Sequence, residues 1–177
     1  MTKIATASLL ILVFAGLSIA QGPPMPQLTP EHKRLQYFAG TWKSDLDMKP
    51  SPMGPGGKAS TTDVNEMFPG DFFLTLKSDG TMPGMGTMHS LALMGYDPAK
   101  KIYTYYSIDN LGMQERSTGT VNGDTWVWNS EPSASMPMKG RFTIKEISAK
   151  EYSFKYDMSQ DGNTWTTVME GKSTKVK

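Results

Sequence analysis

The sequence predicts an all-β protein: an antiparallel, up-and-down β-barrel of about ten strands behind one short helix. Three observations carry this. Apolar and polar residues alternate with period two along most of the chain after Gly40. Turn-forming residues recur between those runs at short intervals. No helical period separates them, so successive strands are expected to pair antiparallel. A meander of this kind removes its exposed edges by closing on itself. Two packed sheets satisfy the same alternation and are the competing architecture.

Residues 1–20 read as an export signal. Lys3 supplies the positive start, Ile4 to Leu17 form an apolar run, and Ser18-Ile19-Ala20 place small residues for cleavage before Gln21. The run is shorter than the roughly 20 apolar residues of a spanning helix, and no basic stop follows it. The expectation is an exported protein, periplasmic or extracellular, with no membrane span after cleavage. The chain has no Cys, which excludes disulfides, a Cys-linked lipid and thiol chemistry. Of 18 Lys and Arg, only Lys3 leaves with the signal, and 17 Asp and Glu remain. The mature chain is then neutral, which argues against nucleic acid as a partner. Its roughly 155 residues suit one domain, expected as a monomer or dimer.

Residues 21–28 form a Pro-rich leader, and the domain is read as 29–177. Thr29-Pro30-Glu31 is a helix start, with Thr as N-cap and Pro at the first helical position. The helix is expected from Pro30 to Tyr37, ended near Gly40. Strands are expected at 41–48, 59–67, 72–77, 86–96, 102–108, 113–121, 125–129, 138–147, 151–158 and 164–174. The clearest alternation is Tyr152, Phe154, Tyr156 and Met158 against Glu151, Ser153, Lys155 and Asp157. Asp79-Gly80, Asp97-Pro98-Ala99-Lys100-Lys101, Asn122-Gly123 and Asp161-Gly162-Asn163 are the turn signals. The Pro- and Gly-rich stretches 50–57 and 132–137 read as loops.

Phe38-Ala39-Gly40-Thr41-Trp42, a helix leading into Gly-x-Trp on a first strand, resembles the opening of lipocalins and nitrobindin-type barrels. The resemblance implies that the Trp packs across the closed end while the Gly admits close backbone passage. A wider resemblance covers nearly the whole mature chain. Glu31-His32-Lys33-Arg34-Leu35, Gly40-Thr41-Trp42, Gly86 to Leu93, and Gly95 through Tyr103 are similar to a bacterial family of exported, lipocalin-like domains of unknown function. Ser107-Ile108-Asp109 and the Asp161-Gly162 turn agree with it. The family implies fold and export rather than an activity. Nitrobindin-type barrels bind haem through a late His, whereas this chain has only His32 and His89, neither in the last strands.

The sharpest local motif is Met82-Pro83-Gly84-Met85-Gly86-Thr87-Met88-His89. Met82, Met85, Met88 and His89 offer soft thioether and imidazole ligands for copper as Cu(I). Against this, Met88 and His89 point to opposite faces of a strand, and Met also fills irregular cores. No Gly-x-Ser-x-Gly elbow occurs, a Ser90, His89 and Asp109 set is split by strand parity, and Gly54 to Lys58 has no following helix to bind phosphate. No constellation supports catalysis, so the chain is expected to be non-enzymatic, with no cofactor unless copper.

Aromatic residues remain. Tyr103 and Tyr105 share one face of their strand with Tyr106 on the other, and Trp126 and Trp128 share a face of theirs. The interior set expected to bind a small apolar ligand is Trp42, His89, Tyr105, Tyr106 and Trp128. The alternatives are a Met-loop copper protein and a structural domain whose core is filled.

Overall fold

The computed structural model describes residues 25–51, 54–134 and 137–177. The expected export signal lies outside the described residues. A short α-helix, α1 (Pro30–Arg34), continues as one 3₁₀ turn (Leu35–Phe38). Ten strands follow: β1 (Gly40–Met48), β2 (Gly57–Met67), β3 (Phe73–Met82), β4 (Gly86–Asp97), β5 (Ile102–Asp109), β6 (Gln114–Asn122), β7 (Thr125–Ser130), β8 (Lys139–Ser148), β9 (Glu151–Ser159) and β10 (Thr166–Lys175). Each pairs antiparallel with its neighbours in sequence, and β10 returns to β1, closing the barrel. Closure leaves no strand edge unpaired, which is the physical return on a meander of alternating strands.

Alternation decides what faces inward. On β1, Trp42, Ser44, Leu46 and Met48 are buried, and on β9 Phe154, Tyr156 and Met158 are. One expected turn proves to be strand. Asp79-Gly80 lies inside β3, where Gly80 pairs with Thr61 on one side and Met88 on the other. A Cβ at Gly80 would meet the Ser60 carbonyl at 2.7 Å, so this glycine serves close strand packing rather than a bend. The hairpin signal at Asn122-Gly123 is displaced by one residue. Asn122 pairs with Thr125, and the loop is Gly123-Asp124, with Gly123 at φ 60°.

The helical segment closes the barrel end from which β1 departs. His32 is buried, with Phe72 and Tyr96 edge-on to its ring at 5.2 and 5.5 Å, and its Nδ1 accepts a hydrogen bond from the Thr29 amide at 3.1 Å. Arg34 donates to the Gly123 carbonyl at 2.9 Å and pairs with Glu146 at 2.8 Å. Tyr37 donates to the Ser148 and Glu151 carbonyls, and Tyr103 to that of Glu31. The helix is therefore tied to several of the turns at that end. Leu35, Phe38, Trp42 and Trp126 are almost wholly buried there and form an apolar floor.

Gly40 is a tight point at the same end. Its φ is 115°, in the region that favours glycine, and a Cβ would run into the Lys177 carbonyl, which accepts from the Thr41 amide at 3.0 Å. Gly40→Ala is expected to cost about 2 kcal/mol from backbone strain and to lower Tm by about 5 °C. Thermal unfolding followed by circular dichroism measures it; an unchanged Tm would show that the close approach relaxes freely.

Candidate functional site

Above the apolar floor the barrel encloses a cavity of about 360 Å³. That volume lies within the ~300–1,000 Å³ of small-molecule sites. Side chains from all ten strands reach it, because each strand turns every second residue inward. Its deep end is bounded by Phe38 and Asn65. The middle carries Tyr105, Trp128, Phe142 and Tyr152, with the Tyr105 and Trp128 rings 6.0 Å apart. Among the described residues, seven of those that line it are methionines. Thioether chains are flexible and polarizable, so such a wall adapts to shape more than it dictates one.

Strand parity sorts the sequence-predicted residues. Tyr105 and Trp128 line the cavity. Trp42 lies in the floor beneath it, fully buried, with Nε1 donating to the Phe38 carbonyl at 2.8 Å and Tyr152 packed at 4.8 Å. Tyr106 and His89 do not face the interior, which corrects the expectation for both. Tyr106 follows inward Tyr105 and so projects outward, where Arg116 lies over its ring at 5.1 Å. His89 follows inward Met88 and pairs with Asp79 on the outer face at 2.5 Å. Met82, Met85 and Met88 all line the cavity, joined by Met113, near the end opposite the helix. The copper motif is thus brought together in its thioethers and separated from its imidazole. Neither histidine lines the cavity: His32 is packed in the cap and His89 is outside.

Polar side chains on this wall went unread in the sequence. Asp63 faces inward, accepting from Ser44 Oγ at 3.3 Å, and the Ser44 and Ser173 hydroxyls meet at 2.6 Å. Glu115 also lines the cavity and accepts from Ser117 Oγ at 2.5 Å. Asn65 donates through Nδ2 to the Phe38 carbonyl at 3.0 Å, and its Oδ1 has no partner although the residue is only 4% exposed. Trp128 Nε1 is a buried donor without a partner among the described residues. The signal for Asp63 and Asn65 lay in β2, but it runs against the hydrophobic rule. Val64 between them is 40% exposed while they point in.

Electrostatics follow from that wall. Burial lifts the Tyr105 hydroxyl to about 12, with the Glu115 and Asp63 charges adding to the shift. Burial likewise lifts the Asp63 carboxyl above its ordinary 3.8, opposed by hydroxyl hydrogen bonds from Ser78, Ser44 and Thr61.

Fold and site define a class: a closed, ten-stranded antiparallel barrel, capped at one end by a short helix and hollow within. The chain belongs to the family described as protein of unknown function DUF1579, whose profile matches residues 27–175. No functionally curated protein matches it in sequence. Among solved structures it is similar to Rv2717c from M. tuberculosis, at 14% identity and a TM-score of 0.63, over 85% of this chain and 100% of that one. It is also similar to the S-type phycobiliprotein lyase CPES from Guillardia theta, at 8% identity and a TM-score of 0.56, over 86% of this chain and 99% of that one. At these identities the likeness is one of fold.

The Asp63 shift has a measurable sign. The folded chain holds this proton more tightly than the unfolded chain. Its contribution is therefore full below the unfolded value and is lost as pH rises through the raised folded value. Asp63→Asn is expected to gain stability relative to the native sequence as pH climbs from about 4 to neutrality. Urea unfolding at stepped pH checks this; a difference that does not vary with pH would mean that Asp63 titrates normally.

Proposed function

We propose that this chain is a non-catalytic, lipocalin-like binding module, exported from the cell, that holds a small and mostly apolar molecule inside its barrel. The observation that carries the reading is the cavity of about 360 Å³ walled by methionines and aromatic rings above a sealed floor. An apolar wall with a few convergent polar groups is the usual makeup of a small-molecule site. Asp63, Glu115, Asn65 and Trp128 supply those groups. Export is supported by Lys3, the apolar run to Leu17 and the small residues before Gln21.

A panel of lipids and hydrophobic dyes, titrated while tryptophan emission is followed, tests the reading. Saturable uptake is expected. Ala92, which is 5% exposed and lines the cavity, gives the control. Ala92→Phe places a ring in the space and is expected to weaken uptake at least about tenfold, with the far-ultraviolet dichroism retained. Absence of saturable uptake by the native protein would instead support a domain whose interior serves only as core.

One observation favours a second reading. Met82, Met85, Met88 and Met113 share one cavity, and thioethers suit Cu(I). In that case the triple change Met82→Leu, Met85→Leu and Met88→Leu abolishes Cu(I) uptake in competition with a chromogenic chelator. Equal uptake by both proteins removes copper from consideration.

A further inference from the structure

We infer that the molecule held in the barrel is an organic cation, an apolar body carrying an ammonium group, with Asp63 and Glu115 as its counter-charges. This rests on the reading of the interior as a ligand site and adds the chemistry of the ligand.

The cavity wall is acidic on one account and acceptor-rich on another. Three carboxylates line it, Asp63, Asp109 and Glu115, whereas among the described residues no Lys, Arg or His does. Asp109 is occupied at the mouth, where Oδ1 accepts from the Leu111 and Met113 amides at 2.8 and 2.9 Å. Asp63 and Glu115 have hydroxyl partners, and no ion pair joins either to a base among the described residues. The other charge felt at Asp63 is a further acid, Asp79. The arginines and Lys155 are engaged elsewhere. Arg141 and Lys155 serve Asp157, Arg34 serves Glu146, and Arg116 lies over Tyr106 on the outer face.

Carboxylates facing a largely apolar cavity without a cation are unfavourable, because hydroxyl donors solvate but do not neutralise them. A cationic ligand supplies the missing charge, while an anionic one would meet like charges and no base. The remaining groups agree. Asn65, on the same wall, has in Oδ1 a buried acceptor with no donor among the described residues, and ammonium N–H groups are donors only. Tyr105, Trp128 and Phe142 line the same cavity as the acids, and ring faces attract ammonium groups through their quadrupoles. The methionine wall near the mouth then suits the apolar body.

Decylammonium, decanol and decanoate share one chain length and differ only in head group. Calorimetric titration of the full protein with each, at neutral pH and below micelle formation, tests the inference. Decylammonium is expected to bind about tenfold or more tightly than decanol, with decanoate weakest. Glu115→Gln, and Glu115→Gln with Asp63→Asn, are expected to bring the decylammonium-to-decanol ratio stepwise towards one. Decanol binding as tightly as decylammonium, or decanoate binding best, overturns the cation and leaves the apolar site standing. A ratio unaltered by Glu115→Gln and by the double change overturns the role of the acids. If none of the three binds, the ligand-site reading falls and the inference with it. The head-group comparison needs only the native protein, so it decides even where the double variant does not fold.

Discussion

The carbonyl of Phe38 is the point on which the rest of the architecture depends. It ends the 3₁₀ turn inside the barrel, away from water, and accepts from Trp42 Nε1 on β1 and Asn65 Nδ2 on β2. A buried carbonyl left without donors costs about 1–3 kcal/mol. Meeting it with two side chains from adjacent strands fixes the helix, the first hairpin and the floor in one geometry. Arg34, Glu146 and Trp126 make a second tie across the same end. Because that end is sealed, the interior is a cup rather than a channel. The same bond engages the Asn65 amide nitrogen and leaves its oxygen buried without a partner among the described residues.

Barrel closure and interior packing make separate contributions here. The ladder satisfies the strand backbones all the way round, so the fold does not need every inward side chain in close contact with another. Near the floor the packing is dense and aromatic: Phe38, Trp126, Tyr103 and Tyr152 meet within 4.7–5.8 Å of ring neighbours. Higher up, methionines and hydroxyls replace rings. Asp63 sits in that looser zone, where burial disfavours its charged form. Local penalties of this kind are expected where a site is selected for something other than stability.

Strand number and order were legible in the sequence because period-two alternation and turn residues are local signals, and the helix at the closed end was legible through its Thr29-Pro30-Glu31 start. The cup was also legible in part, through Gly40-Thr41-Trp42 and the inward parity of Tyr105 and Trp128. Other features needed the tertiary structure. Gly80 looks like a turn residue, yet it is needed where the backbone of β2 comes close against β3. His89 looked like a ligand beside Met88, yet adjacent strand residues are on opposite sides of the wall. Asp63 and Asn65 were hidden because β2 inverts the pattern, turning Val64 to solvent and its polar neighbours inward. A polar residue that faces the inside carries no mark in composition or period, and only the register with β1 and β3 reveals it.

The closing seam has a kinetic consequence. β1 pairs with β10 from Trp42↔Lys175 to Met48↔Met169, so the first strand made must wait for the last. All other pairings join strands adjacent in sequence and can form as local hairpins, each closing only a short loop. Folding is then expected to advance as a growing, open sheet with two raw edges, and to finish in one long-range step. Until that step, β1 and β10 are free to pair with another chain. The Val176 and Lys177 backbone contacts to Thr41 are the last turns of that seam. They make the stretch around Thr41 a place where self-association and correct folding compete for the same hydrogen bonds.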